Sequence, residues 1–67
     1  MTQLKITVLE EDIGLSDTWE ETCEESELQK HMDRCHGCGG EFKYELDVPQ
    51  RNQYDDTYFK TFTVSVI

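Results

Sequence analysis

The sequence predicts a small α+β domain of order β-α-β-β. One helix lies on the apolar face of a three-stranded sheet, and a Cys₃His zinc site staples the two. Three observations lead there. Residues 2–9 and 41–48 alternate apolar and polar side chains, and a β-rich run closes the sequence over 57–67. Residues 26–36 place apolar groups at helical spacing. Cys23, His31, Cys35 and Cys38 fall within sixteen residues, and thiolate and imidazole are groups that zinc prefers.

A chain of 67 residues reads as one domain, 1–67. A domain of this size buries only about 60% of its unfolded surface, so a metal, disulfides or association usually supports it. Three cysteines cannot all pair within one chain. No signal-peptide pattern opens the sequence, so a cytoplasmic, reducing setting is expected and a metal accounts for the thiols better than disulfides do. No apolar run approaches membrane-spanning length.

Taken in order, Leu4, Ile6 and Val8 share one side of a first strand, with Gln3, Lys5 and Thr7 on the other. Residues 10–15 read as a connection punctuated by Gly14. Asp17 or Thr18 with Glu20 or Glu21 forms a capping-box pattern, which suggests a short helical turn over 19–23. A single helix from 17 to 35 fails, because it would put Trp19 and Leu28 on opposite faces. A break near 24–26 follows, with Ser26 and Gln29 as a second capping box. Leu28, His31, Met32 and Cys35 then form the inner stripe, and Gly37 ends the helix. Phe42, Tyr44, Leu46 and Val48 face one way in the second strand, which Pro49 ends. Residues 50–56 read as a polar loop. In the last run Phe62, Val64 and Val66 share a face, and Lys60, in phase with them, implies a bulge or a strand start nearby.

The metal reading rests on geometry. His31 and Cys35 are four apart on a helix and project from the same side. Cys35 and Cys38 enclose a tight turn, with Gly39 and Gly40 letting the chain double back. Cys23 on a continuous helix would sit roughly 12 Å along the axis from His31, so the helix break is what admits it as a fourth ligand. Locally, Leu28-Gln-Lys-His31-Met-Asp-Arg-Cys35 resembles the helix of a zinc finger, and Cys35-His-Gly-Cys38-Gly resembles a zinc knuckle. The resemblance covers about fifteen residues. The finger's Cys-x2-Cys precedes its helix, whereas here it follows, so DNA reading by the helix is not carried over. His36 is an alternative to His31, with a solvated side chain at a fraying helix end as its bland reading. A catalytic zinc lacks its usual motifs here. A Cys35–Cys38 redox dithiol would follow its helix rather than start it.

The formal charge is −9, and nine of the fifteen acids lie between positions 10 and 27. Such a surface repels nucleic-acid backbone and attracts basic surfaces. The expected function is therefore a non-enzymatic, zinc-binding interaction module, an inhibitor or adaptor that engages a basic surface of a partner protein. Phage antagonists of host defence that occupy nucleic-acid-binding grooves are an analogy of charge only. The candidate surface is Glu10, Glu11, Asp12, Asp17, Glu20, Glu21, Glu24, Glu25 and Glu27, with a second patch at Tyr54, Asp55 and Asp56. The alternatives are a zinc-dependent nucleic-acid binder, served only by scattered basic residues, and a thiol redox protein. An exposed sheet edge leaves both monomer and homodimer open.

Overall fold

The computed structural model describes residues 2–67. Its strands are β1 (Gln3–Asp12), β2 (Leu15–Glu24), β3 (Gln50–Gln53) and β4 (Phe59–Val66), with one helix, α1 (Leu28–His36). A 3₁₀ turn, Glu25–Glu27, leads into the helix. The sheet is antiparallel, in the order β2-β1-β4-β3. The α+β class with a helix on one apolar face therefore holds, but the sheet has four strands and the order is ββαββ.

The central pair is β1 and β4. Leu4, Ile6 and Val8 face Val66, Val64 and Phe62 across the ladder, and Leu28 and Met32 close over them from the helix. Those inward residues are fully buried apart from Val66, which is exposed at the strand end. The helix begins after the 3₁₀ turn, at the expected break, but no side chain caps it. The Ser26–Gln29 capping box does not form, because Gln29 is used elsewhere. Its amide donates to the Gly40 carbonyl at 2.6 Å and its oxygen accepts the Phe42 N–H at 2.6 Å, pinning the chain that leaves the helix.

Two expectations are corrected. Residues 15–24 are a strand, not a connection and a helical turn. Gly14, at φ 69°, closes a tight hairpin in which Asp12 pairs with Leu15. The period-two signal of β2 is hidden because its inward side carries Trp19, Glu21 and Cys23, opposite Val8, Ile6 and Leu4. A charged residue at a core-facing position disguises the pattern.

Residues 41–48 are not a ladder strand. Only Leu46 bridges the sheet, beside Val64. Phe42 and Tyr44 pack on the core as a cover, stacked at 5.9 Å, while Leu46 and Val48 are exposed. The edge of β4 is occupied instead by Gln50–Gln53, inside the expected loop. Alternation places side chains on one side of an extended segment, and Phe42 and Tyr44 use that side to cover the core without strand pairing.

Of the bulge or strand start expected near Lys60, the strand start is what occurs: β4 begins at Phe59, and β1 and β4 pair without interruption from Glu11–Phe59 to Leu4–Val66. Lys60 points inward beyond the helix, where aromatic rings rather than aliphatic groups receive it.

Gly37 ends α1 at φ 62°, with its N–H on the Asp33 carbonyl and the Cys38 N–H on Met32. A methyl group there would meet nothing within 4 Å, so the cost of Gly37→Ala is conformational. The expected loss is about 1 kcal/mol, read as a lower urea midpoint with an unchanged slope. Gly39→Ala, where φ is not positive, should be neutral or slightly stabilising. Equal midpoints for the two variants would contradict this account.

Candidate functional site

The inward side of β2 carries the unusual chemistry. Glu21 faces the helix between Trp19 and Cys23. A carboxylate there costs desolvation unless it is partnered, and three donors meet it. The Trp19 indole Nε1–H donates to Oε2 at 2.5 Å. His31 and His36 both place Nε2 on Oε1, at 2.6 and 2.9 Å. The His36 side chain is 2% exposed, against 21% for His31 and 19% for Glu21. His36 is therefore an interior residue and not the solvated side chain expected of a helix end. Its ring packs edge-on against Phe62 at 5.0 Å.

Burial raises the Glu21 pKa, but the hydrogen bonds from Trp19, His36 and His31 outweigh it and hold the group at about 2. The Glu21 carboxylate is therefore charged throughout the neutral range. Behind His36, the Lys60 ammonium lies 3.3 Å from Nδ1. It also lies 6.0, 5.6 and 5.8 Å from the ring centroids of Trp19, Tyr54 and Tyr58.

Among the described residues, the ligand atoms that converge within 4.8 Å of one another are those of Glu21, His31 and His36. Cys23, Cys35 and Cys38 do not join His31 in such a group. Cys23 is on β2, half-buried, and its thiol pKa is raised by burial and by the Glu21 and Glu27 carboxylates. Cys35 is exposed in the last helical turn, and all three cysteines are free thiols. Cys38 lies 3.6 Å from the Tyr54 hydroxyl and 4.0 Å from the His36 carbonyl. Because Cys23 belongs to a strand rather than to a helix break, it is held by the β1 ladder and does not swing toward the Cys35–Cys38 turn.

The acidic stretch is divided by the fold. Glu10, Glu11, Asp12 and Asp17 lie at the hairpin end of the sheet, where the β3–β4 turn brings Asp55 and Asp56 alongside. Thr57 Oγ1 donates to Asp12 at 2.9 Å, and the Tyr58 hydroxyl donates to Glu10. Glu20 points to the open sheet face, Glu21 is internal, and Glu24, Glu25 and Glu27 sit around the start of the helix. The Tyr54 and Tyr58 rings lie 5.8 Å apart, tilted by 39°. Glu10, Asp12, Leu15, Ser16, Asp17 and Tyr58 line an open cleft of about 380 Å³. Glu10 and Asp17 are direct cross-strand partners, an arrangement of like charges that costs stability. Ile13 and Leu15 beside them are 76% and 74% exposed.

The basic residues are dispersed. Arg51 stacks on Phe59 at 4.1 Å, Lys60 is enclosed by rings, and Lys30 pairs loosely with Glu27. No helix among the described residues is long and apolar enough to cross a membrane. No protein-family model, curated protein or solved structure matches the chain.

No signal in the sequence located the Glu/His/His cluster. His31 and His36 are five apart, which helical phase alone does not bring onto one ligand. Glu21 was one acid among nine. Only the β1–β2 register turns Glu21 inward to meet both rings.

Proposed function

We propose that the chain is a non-enzymatic interaction module whose hairpin end engages a basic surface of a partner protein. The observation that carries this is the convergence of Glu10, Asp12 and Asp17 around one cleft walled by Leu15 and Tyr58. Glu10 and Asp17 repel each other across the strand pair, and a lysine or arginine side chain in the cleft would relieve that cost. Asp55 and Asp56 extend the negative field, and Ile13 and Leu15 offer the apolar contact that charge alone does not supply. Inhibition of a nucleic-acid-binding protein by occupying its basic groove fits this chemistry. Direct nucleic-acid binding does not, because the field of a chain at −9 opposes it. A reducing cytoplasm suits the three free thiols.

The test separates position from bulk charge. Glu11, Asp12 and Asp17 are replaced by lysine in one variant, and Glu25, Glu41 and Glu45 in another of equal net charge. Both are titrated against a poly-arginine peptide at low and at physiological salt. The hairpin-end variant should bind at least roughly tenfold more weakly than the second one. Equal weakening of both would leave only nonspecific attraction and defeat the proposal.

A further inference from the structure

We propose that Glu21, His31 and His36 form a binding site for a divalent transition cation, of which zinc suits the donors best. This site shares only His31 with the Cys₃His set that sequence spacing suggests, and none of its ligands lines the acidic cleft. Two imidazole nitrogens and one carboxylate oxygen lie within 4.8 Å of one another, with both Nε2 atoms on the same oxygen. Three protein ligands of this type, with a fourth position open to water, are a known zinc arrangement.

The fit is close. Zinc bonds of about 2.0–2.2 Å in tetrahedral geometry separate the donor atoms by about 3.3 Å, so the 2.6 and 2.9 Å spacings need to open by roughly half an ångström. Glu21 and His31 are each about one-fifth exposed, which leaves an entry path from solvent. The Trp19 indole on Oε2 fixes the carboxylate so that Oε1 points at the imidazoles. Hydrogen bonds of this kind to ligating groups orient metal sites.

Lys60 makes the site tunable. When His36 binds a cation through Nε2, its proton resides on Nδ1 and needs an acceptor. Nδ1 instead meets the Lys60 ammonium at 3.3 Å, a donor carrying positive charge. Metal entry therefore requires Lys60 to turn toward Glu10, its cross-strand partner, or toward the Tyr54 and Tyr58 rings.

Cobalt(II) titration of the reduced, metal-stripped protein tests the proposal, followed by displacement with zinc. One ion per chain should bind, with d–d bands but no thiolate-to-cobalt charge-transfer absorption in the near ultraviolet. His31→Ala, checked for an unchanged far-ultraviolet circular dichroism spectrum, should lose at least roughly 100-fold in affinity. Replacing Cys23, Cys35 and Cys38 together by serine should leave affinity within about twofold. Lys60→Gln should tighten binding by roughly tenfold, because the repelling donor becomes an acceptor for Nδ1–H. A charge-transfer band that vanishes in the serine variant would overturn the proposal in favour of a thiolate site. Absence of binding, or a Lys60→Gln variant that binds more weakly, would overturn it outright.

Discussion

Phe62→Ala should leave the chain largely unfolded at room temperature. Phe62 is 1% exposed on β4, opposite Val8 on β1 and Gln50 on β3. It is the residue on which the separate layers meet. Its ring packs edge-on against His36 from the helix at 5.0 Å and against Phe42 from the cover segment at 6.0 Å. Truncating a buried phenylalanine costs about 3–5 kcal/mol. Domains of this length are stable by about 3–10 kcal/mol, so the loss consumes most of the margin. Collapse of the cavity would require the helix and the cover segment to move together. Gln29 tethers them to each other and not to the sheet, which offers little local relief. Thermal melting by circular dichroism reads the effect, and Phe62→Leu should keep a cooperative transition at a cost of roughly 1–2 kcal/mol. A Phe62→Ala protein melting within a few degrees of wild type would show that the core does not depend on this contact.

Glu21→Ala should be the most damaging substitution of any acid in the chain. Removing the carboxylate leaves the Trp19 indole, His31 and His36 without their shared acceptor, and the His36 side chain is 2% exposed. Unpaired buried donors cost about 1–3 kcal/mol each. The His31 and Trp19 donors recover part of this through water, so a total near 3 kcal/mol is expected. Glu21→Gln retains an acceptor and should lose less. The pH dependence follows from the depressed pKa. Glu21 titrates at about 2 in the folded chain against 4.5 in the unfolded one. The unfolded state therefore binds the proton first as acid is added. The stabilisation is complete above pH 4.5 and disappears as pH falls toward 2, by about 2–3 kcal/mol. Urea unfolding of metal-stripped protein at several pH values between 6 and 2 measures it. The difference between wild type and Glu21→Ala should shrink across that window, and a constant difference would contradict the role assigned to the charge.

The same residues show where local reading succeeds. Leu4, Ile6 and Val8 declared an inward face because period two and β-branching agree, and Phe62 and Val64 did the same at the other end of the chain. The break before Leu28 followed from helical phase, and Gly37 marked the helix end because a left-handed residue without a Cβ is the cheapest stop. These features depend on neighbours within a few positions.

Residues 15–24 and 41–48 failed for opposite reasons. In β2 the pairing with β1 overrides an inward side of Trp19, Glu21 and Cys23 that carries little aliphatic pattern. In the cover segment Phe42 and Tyr44 pack on the core without a ladder while Leu46 and Val48 are exposed, since β3 takes the edge of β4.

The site divides the same way. Composition and spacing show that thiols, imidazoles and acids crowd the middle of a chain too short for an ample core, and that its surface is strongly negative. Which of them meet depends on contacts between distant segments. Register turns Glu21 inward, the helix aims His31 and His36 at it, and the hairpin carries Asp12 and Asp17 to the far end beside Asp55 and Asp56. Spacing along the chain limits which groups can share a ligand, but strand pairing between distant segments chooses among them, because a one-residue slip in register would reverse every side chain on the strand.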